Sequence, residues 1–496
     1  MARLDNPHYE AAWRVARRLH ALGHAAYFAG GCVRDMLLGV VPQDFDVATD
    51  ATPDLVQQAF PRTESVGAHF GVVLVIDKVP QGLQPGSPLE RNVRAEARTL
   101  QSEPPPVDLP EFLRIATEVA TFRHDGAYSD GRRPDEVRFS SDPREDVLRR
   151  DFSINGLLLD VLRYEQGDPL EECVLDFVGG RSDLHAGLVR AIGEPERRFA
   201  EDKLRLLRAV RFAARLGFEI EPRTLRAIQE QAGEIGAVSA ERVRDELTRI
   251  LTEGHARRGF ELLDQTGLLQ QVLPEIARMQ GVEQPPQYHP EGDVWTHTLM
   301  LLEHLPSNSS PTLAWGMLLH DVGKPATFTP PDPARPGDRI RFNGHVEVGI
   351  AVARTILNRL RFSNEDAAQI LALVQHHMQF GDVMKMKQST LKRFLRLPKF
   401  DEHLALHFAD ASSAHGDLSK YEFAKQRLEE LGEEQIRPPL LLTGDDLIAA
   451  GYAPGPQFRQ MLTLAEDAQL EGSISTREQA LELVRTVAKD MPTRKN

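Results

Sequence analysis

The stretch FAGGCVRDMLLGVVPQDFDVATD, residues 28–50, sets two adjacent glycines before a short amphipathic run and ends near two aspartates that flank Phe45. In a β-strand, residues two apart point to the same face, so Asp44 and Asp46 are expected side by side while Phe45 faces the core. Neighbouring carboxylates repel each other unless a cation lies between them. Hard oxygen ligands suit Mg²⁺, which takes one or two protein carboxylates and completes its shell with water and substrate phosphates. The pair therefore predicts a magnesium site.

Gly30 and Gly31 predict a phosphate-binding turn beside this pair. Glycines lack side chains and let backbone amides approach a triphosphate, and the start of the following helix adds partial positive charge. Arg34 lies close enough to assist. A bare D-x-D is more often a surface turn with two solvated acids, but the upstream GG-x-x-R-D favours a nucleotide site.

Length, charge and cysteine content narrow the class of protein. The chain has 496 residues, and domains usually hold about 100 to 200, so three or more units are expected. The net charge of −14 argues against indiscriminate polyanion binding but permits a local basic face. Two cysteines without C-x-x-C spacing support neither disulfides nor a thiolate zinc site. No apolar stretch approaches about 18 residues, so a cytoplasmic protein without a membrane partner is expected.

The pattern along the chain predicts an α+β protein. A mixed-sheet head is expected over 1–140, with a proline-rich insertion near 79–111, because helical and strand periods alternate there. From about residue 142 nearly everything reads as helix. We expect a helical neck and RNA-binding region over 141–270, a histidine-rich helical domain over 271–436 and a helical tail over 437–496.

The first stretch resembles the nucleotidyltransferases of the DNA polymerase beta-like superfamily, specifically the bacterial group of CCA-adding tRNA nucleotidyltransferases and poly(A) polymerases. The resemblance implies that the glycines hold the triphosphate and that the aspartates hold two Mg²⁺ ions for attack by an RNA 3'-hydroxyl. It also implies that Glu118 is a third metal carboxylate, next to a segment, 123–139, that is similar to the family's flexible loop. The residues given these roles are Gly30, Gly31, Arg34, Asp35, Asp44, Asp46 and Glu118.

Two further motifs are similar to those that select the nucleotide in this family. RRDFSIN, residues 149–155, implies that Asp151 and Asn155 recognise the ribose 2'-hydroxyl. EDKLRLLRAVRFAARLGFEI, residues 201–220, implies that Asp202 and Arg205 form an amino-acid template for CTP and ATP. An acceptor beside a donor matches C and A, whose edges offer an amino group next to a ring nitrogen, and leaves G and U unmatched. An i,i+3 salt bridge is the alternative. Arg208 and Arg211 are expected to meet triphosphate or RNA.

The histidine-rich half resembles an HD-type phosphohydrolase domain. Imidazole and carboxylate groups suit divalent metals, and helices can bring such separated groups together. The resemblance implies His297, His320, Asp321 and Asp410 as ligands of a metal whose identity the motif leaves open. His345 and His376 are expected to hold a second metal, and Lys324 to face a phosphate. A structural domain that binds no metal is the alternative.

The ordered motifs predict an enzyme that builds or repairs the 3'-terminal CCA of tRNA from CTP and ATP with release of pyrophosphate. The expected partners are the 3' end of tRNA or another RNA, and no DNA. A poly(A) polymerase shares these motifs, and an enzyme adding only CC or only A is a further alternative. An alternative from a different class of protein is an RNA-binding HD phosphohydrolase that has lost polymerase activity. The sequence does not predict the oligomeric state.

Overall fold

A computed structural model describes residues 6–67, 71–80, 112–126, 136–414 and 416–488. Most of the predicted insertion, residues 81–111, and the centre of the predicted flexible loop, residues 127–135, lie outside these ranges. The chain divides into two compact units: unit 1 comprises residues 1–239 and 265–271, and unit 2 comprises 240–264 and 272–496. The four-part division expected from the sequence stays a prediction.

Unit 1 is built on a mixed sheet, which confirms the expected α+β class. Within its described residues seven strands form one sheet in the order β3-β4-β5-β2-β1-β8-β9. Strand β2 runs parallel to β5, and all other neighbouring pairs are antiparallel. The strands are β1 Ala26–Ala29, β2 Asp46–Thr49, β3 Thr63–Gly67, β4 Val72–Pro80, β5 Phe112–Thr121, β8 Leu157–Leu159 and β9 Val174–Asp176.

Four shorter strands pair outside this sheet: β6 Arg123–Asp125 with β7 Val137–Phe139, and β10 Leu188–Val189 with β11 Glu219–Ile220. The expectation that the chain after residue 142 is almost wholly helical is therefore wrong for β8 to β11. Strand β8 is a fully buried run of three leucines, and so short an apolar run cannot be assigned from its period alone.

Helices cover the sheet and form the rest of unit 1. Helix α1 packs Tyr9 edge-on against Phe28 of β1 and Phe45, with ring centroids 5.4 and 5.3 Å away. Phe45 thus lies in the core, as the alternation predicted. The helices up to residue 231 are α1 Pro7–Ala21, α2 Gly31–Leu37, α3 Pro53–Ala59, α4 Pro143–Leu148, α5 Val161–Glu165, α6 Leu170–Cys173, α7 Gly180–Ala186, α8 Pro195–Glu201, α9 Leu204–Leu216 and α10 Pro222–Gln231.

From residue 240 onward the described chain is helical. Its helices are α11 Ala240–Thr252, α12 Ala256–Gln265, α13 Leu268–Val272, α14 Pro274–Ala277, α15 Val294–Glu303, α16 Pro311–Leu319, α17 Lys324–Thr327, α18 His345–Arg359, α19 Asn364–His376, α20 Gln388–Leu395, α21 Phe400–Ser413, α22 Ser419–Ile436, α23 Gly444–Ala449, α24 Gln457–Leu470 and α25 Arg477–Ala488. A 3₁₀ segment, His377–Lys385, follows α19 directly. Among the described residues, no helix combines the length and apolar character that crossing a bilayer requires.

Two glycines allow close packing in unit 2. A Cβ on Gly323 would lie 2.1 Å from the carbonyl oxygen of His345 and 2.5 Å from the amide nitrogen of Gly349. A Cβ on Gly316 of α16 would lie 2.5 Å from Leu373 of α19. Real side chains do not approach this closely, so glycine is what lets α18 begin against the loop that follows Asp321.

Candidate functional site

The strand register brings the glycine turn and the aspartate pair together. Ala29, the last residue of β1, pairs with Asp46, the first residue of β2, so the turn at Gly30 begins beside Asp46. Asp44 and Asp46 are both exposed while Phe45 between them is buried. Both carboxylates therefore lie at one end of the sheet, at the surface, next to the glycines.

Glu118 lies on the same surface. Val47 of β2 pairs with Val119 of the parallel strand β5, and both are buried, so the exposed residues before them, Asp46 and Glu118, are neighbours. Crowding by protein atoms raises the pKa of Asp46 to about 7; the negative charges of Glu118 and Asp44 also raise it, while Arg150 opposes them. Crowding likewise raises the pKa of Glu118. Repulsion of this kind is relieved when a cation binds.

Gly30 adopts a backbone conformation that is accessible to glycine, with φ 75° and ψ −125°. A Cβ at this position would lie 3.0 Å from Nη1 of Arg150. Gly30 immediately precedes α2, whose first amide groups are free of intrahelical partners and carry partial positive charge. The amide of Gly30 itself donates to the carbonyl oxygen of Leu157 at 3.0 Å, so the start of α2 and Arg150 are what the turn places beside the carboxylates.

Arg34 and Asp35 do not face this surface. Arg34 is 2% exposed, and its guanidinium donates to Asp35 at 2.8 Å and to Oδ1 of Asn155 at 2.7 Å. Asp35 is also buried and lies 3.5 Å from Arg215 of α9. Both side chains have internal partners behind the glycine turn, and their predicted contact with nucleotide stays a prediction.

Asp151 and Asn155 form a second buried pair. Nδ2 of Asn155 donates to Oδ1 of Asp151 at 3.2 Å, and Arg208 donates to Oδ2 of Asp151 at 2.8 Å. Burial by itself would raise the pKa of Asp151, but the charges of Arg208 and Arg205 and its hydrogen bonds outweigh burial and lower the pKa to about 2. The two residues predicted to recognise ribose are therefore fixed together, with Asp151 ionised.

Asp202 and Arg205 lie where α8 ends and α9 begins. Oδ1 of Asp202 accepts from the amide of Leu204 at 3.0 Å, and the side chain is half-buried. Arg205 donates to Glu201 at 2.9 Å and to the carbonyl oxygens of Arg198 and Arg149 at 3.0 and 3.1 Å. Glu201 is a carboxylate that holds Arg205, at 2.9 Å, and the Asp202–Arg205 salt bridge stays an open alternative to the template.

Arginines from α9 and α2 surround one aromatic ring. Arg211 is 4% exposed and its guanidinium carbon lies 4.3 Å from the ring centroid of Phe212; Arg208 and Arg34 lie at 5.3 and 5.4 Å. Such distances are typical of cation–π contacts. Arg211 is thus packed inward, and the prediction that it meets triphosphate or RNA has no support from its burial.

Arg149 and Arg150 of the quoted RRDFSIN motif received no role from the sequence. Both pair with the fully buried Asp146, Arg149 at 2.9 Å through Nε and Arg150 at 2.9 Å through Nη2. Burial opposes ionisation of Asp146, but the two arginines outweigh it and lower its pKa. On a helix, an aspartate lies beside residues three and four positions further along. The spacing of Asp146 before Arg149 and Arg150 could therefore have predicted these two ion pairs.

In unit 2 the predicted ligands His297, His320, Asp321 and Asp410 lie close together. Nε2 of His297 is 3.1 Å from Asp410 and 4.0 Å from Asp321, and Nε2 of His320 is 3.1 Å from Asp321. Both nitrogens are buried, and neither makes a well-directed hydrogen bond within the described chain. The neighbouring carboxylates raise the pKa of His297 to about 9 despite its burial, which acts in the opposite direction. Converging imidazole nitrogens and carboxylates of this kind suit a divalent metal.

The second predicted set needs one correction: the structure brings His377, and not His376, to Asp321. Nε2 of His377 and Nε2 of His345 each lie 3.8 Å from Oδ1 of Asp321 and 3.4 Å from each other. His376 ends α19 and its ring lies near His403, with centroids 5.9 Å apart. Adjacent helical residues point about 100° apart, so only one of the two histidines can face the cluster.

A cavity of 490 Å³ opens beside these groups. His345, His377 and Asp410 reach it from the cluster, while Lys324 and three further cations, Arg339, Arg341 and Lys420, line it together with the rings of Tyr288 and Phe342. Lys324 is held by Asp321 at 2.6 Å and by Gln284 at 2.6 Å. The cavity thus combines metal-binding groups with positive charge and aromatic faces.

The sequence reasoning also missed two neighbours of His297. Oε1 of Glu291 lies 2.7 Å from Nδ1 of His297 and 2.9 Å from Nδ1 of His289. Within the described residues, three groups of acids and imidazoles have ligand atoms within 4.8 Å of one another: His289 with Glu291 and His297, His297 with His320 and Asp321, and Asp321 with His345 and His377. Both residues lie in YHPEGDVWTH, residues 288–297, but this stretch has no helical period that would have aligned them with His297.

His403 leads to a prediction about stability. It is 1% exposed, and burial together with His376 lowers its pKa to about 4. Because the unfolded chain binds the proton below about pH 6.5 and the folded chain does not, unit 2 should lose up to about 3 kcal/mol as pH falls from 6.5 to 4. Urea denaturation at several pH values measures this. His403→Phe should make the dependence less steep in this window, with the rest due to His377, whose pKa burial also lowers to about 4. His304→Gln, at an exposed site, should keep the full slope. Equal slopes in wild type and His403→Phe would contradict the assignment.

Three sequence families match parts of the chain. The family described as the Poly A polymerase head domain matches residues 26–103 and 106–190. The family described as the probable RNA and SrmB-binding site of polymerase A matches residues 217–280. A family described as a putative tRNA nucleotidyltransferase domain 2 matches residues 345–484.

Three proteins with similar sequences are named as tRNA nucleotidyltransferases or CCA-adding enzymes. The A-adding tRNA nucleotidyltransferase of Deinococcus radiodurans is 34% identical over 367 residues, covering 70% of this chain and 80% of that protein. The CCA-adding enzyme of Bacillus pumilus is 34% identical over 302 residues, covering 60% and 64%, and that of Geobacillus stearothermophilus is 36% identical over 271 residues, covering 55% and 56%. The chain thus spans less than two-thirds of the length of these two CCA-adding relatives.

A solved structure shares the fold. The CCA-adding enzyme of Bacillus stearothermophilus in complex with CTP aligns over 98% of this chain and 100% of that chain, with a TM-score of 0.67 and 24% identity. At this identity the likeness concerns the fold alone.

Proposed function

Because this chain belongs to the family of bacterial CCA-adding tRNA nucleotidyltransferases and poly(A) polymerases, we propose that it completes the 3'-terminal CCA of tRNA from CTP and ATP and releases pyrophosphate. One observation carries the proposal: the pairing of Ala29 with Asp46 and of Val47 with Val119 sets the glycine turn, the aspartates and Glu118 at the same end of the sheet. This is the arrangement that nucleotidyl transfer needs, with a phosphate-holding turn beside the metal-binding acids.

In this proposal Asp44 and Asp46 hold Mg²⁺, with Glu118 as the neighbouring carboxylate. When bound, Mg²⁺ favours ionisation of the attacking hydroxyl and neutralises charge on the leaving pyrophosphate. The raised pKa of Asp46 fits a group whose ionised form is completed by a cation. The glycine turn and Arg150 hold the triphosphate, while Arg34 and Asp35 keep α2 in place beneath it.

Asp202 and Arg205 are proposed as the amino-acid template. A template discriminates only if its groups cannot turn to accept the wrong base. Asp202 is fixed by the amide of Leu204, and Arg205 by Glu201 and two carbonyl oxygens. Asp202 would accept from the amino group of C or A, and Arg205 would donate to the adjacent ring nitrogen. Asp151 and Asn155 are proposed to meet the ribose, with Arg208 holding Asp151.

The test is extension of a tRNA transcript that lacks CCA by the full-length protein with Mg²⁺ and each NTP alone or together. We expect cytidine addition with CTP, completion with CTP and ATP, and arrest at CCA. GTP and UTP should not be used. Long tails from ATP alone would instead identify a poly(A) polymerase, and a protein inactive with every NTP would overturn the proposal.

Addition of the terminal A alone is the second candidate for this site. It is favoured by the 80% coverage of the Deinococcus radiodurans A-adding enzyme. The same assay with tRNA ending in CC separates the two: an A-adding enzyme extends this substrate with ATP but leaves tRNA without CC unchanged when CTP is supplied.

For unit 2 we propose metal-dependent hydrolysis of phosphate esters, as expected of an HD-type domain. The supporting observation is the junction of the His297–Asp321–Asp410 group with a cavity lined by four cations. The divalent metal would orient water and phosphate, and Lys324 would face the phosphate. Hydrolysis of bis(p-nitrophenyl) phosphate with added Mn²⁺ tests this. Asp321→Asn should abolish it and Asp46→Asn should not; activity that survives Asp321→Asn would exclude this site.

A further inference from the structure

Glu291 holds two imidazoles with one oxygen. Its side chain is 4% exposed, and Oε1 lies 2.7 Å from Nδ1 of His297 and 2.9 Å from Nδ1 of His289. Oε2, which is also buried, finds no hydrogen-bond partner among the described residues. A buried oxygen without a hydrogen-bond partner lowers the stability of the fold. The position of Glu291 is therefore explained by its contacts with the two imidazoles and not by a contribution to core stability.

The contact decides which nitrogen of His297 is available to a metal. When Nδ1 carries the proton and donates it to Glu291, Nε2 is left with its lone pair, and Nε2 is the atom that faces Asp410 and Asp321. Ligating histidines commonly donate the second ring N–H to a carboxylate, which fixes tautomer and ring direction. We propose that Glu291 is a positioning residue that sets the tautomer and direction of His297 for metal binding and mounts His289 at the cavity wall.

His289 has a different place from His297. It is 18% exposed and lines the cavity, and its ring lies against that of His297 with centroids 4.8 Å apart. Since Nδ1 of His289 also points to Glu291, its Nε2 is free to reach the cavity but does not complete the group around Asp321. Glu291 therefore links the metal group to the cavity wall. The inference rests on the proposed metal site of unit 2.

Metal binding by the full-length protein tests the inference. All variants carry Asp46→Asn, which weakens metal binding at the site in unit 1, and Mn²⁺ is titrated by calorimetry. Glu291→Gln keeps the shape but loses the charge and is expected to bind Mn²⁺ about 10- to 100-fold more weakly. The matched control Glu482→Gln, at an exposed site of the same unit, should bind like its parent. Equal affinity of Glu291→Gln and parent would overturn the inference, whereas a parent that binds no Mn²⁺ would overturn the metal site itself.

Two measurements keep the inference testable if Glu291→Gln does not fold. His289→Asn should bind Mn²⁺ like the parent, because the His297–Glu291 contact remains; a large loss of affinity would make His289 a ligand and contradict its assigned place. In the parent protein with ¹⁵N-labelled histidine and diamagnetic Zn²⁺, the Nδ1 proton of His297 should persist when the metal binds. Its disappearance would show that Nδ1, and not Nε2, is the ligand atom.

Discussion

Asp46→Asn is expected to lower nucleotide addition to tRNA by about 10³-fold or more, because it removes a carboxylate from the proposed Mg²⁺ site, whose ion contributes several kcal/mol to the transition state. Surrounding protein atoms, and then the charge of Glu118, raise the pKa of Asp46 to about 7, so its ionised form is disfavoured in the absence of a cation. The substitution should therefore leave the melting temperature unchanged or slightly higher. Single-turnover extension of tRNA measures the effect.

The matched control is Asp54→Asn. Asp54 is an exposed aspartate in the first turn of α3. The Asp54→Asn protein should extend tRNA at the wild-type rate. Hydrolysis of phosphate esters by unit 2 should be unchanged in both variants. If Asp46→Asn retained more than a tenth of the wild-type rate, the assignment of the metal to this pair would be wrong.

Gly323→Ala is expected to have the largest effect on unit 2. Its backbone angles, φ −83° and ψ −15°, suit alanine, so the obstacle is space alone. The new methyl group would lie 2.1 Å from the carbonyl oxygen of His345, which begins α18. The helix must move away, and we expect a loss of about 3 kcal/mol or more in the free energy of unfolding. Movement of His345 should also weaken Mn²⁺ binding at Asp321 and His377.

Gly381→Ala is the control for this change. A Cβ on Gly381 would meet nothing within 4 Å, so it should leave unfolding and Mn²⁺ affinity as they are. Thermal unfolding and calorimetric titration measure both quantities. A Gly323→Ala protein with wild-type stability and affinity would mean that α18 is not held against this loop.

Sequence reasoning succeeded where a short-range rule applied. Asp44 and Asp46 are exposed around a buried Phe45 as alternation predicted, although β2 begins only at Asp46, and the mixed-sheet head follows from the order of periods. It failed for contacts between distant residues. Arg34 meets Asn155 across 121 positions and Asp35 meets Arg215 across 180, so their burial depends on how the strands and α9 assemble.

The histidines show the same limit at shorter range. The sequence analysis chose His376 for the second metal, and its neighbour His377 faces Asp321 instead because of the angle at which α19 ends. Glu291 lies in a loop with no period, so its two bonds to imidazoles are visible only in three dimensions. Strands β8 and β9 were missed because three-residue runs carry too little pattern to separate strand from helix.

The buried contacts behind the glycine turn limit how freely the parts of unit 1 can be exchanged. Arg34 and Asp35 on α2 connect to Asn155 and to Arg215, and Asn155 connects through Asp151 to Arg208 on α9. In a chimaera that joins this head to the α9 of another protein, the buried side chains of Asp35 and Asp151 would lose their arginine partners. The segment proposed to bind phosphate and the helix proposed to read the base must therefore be transplanted as one piece.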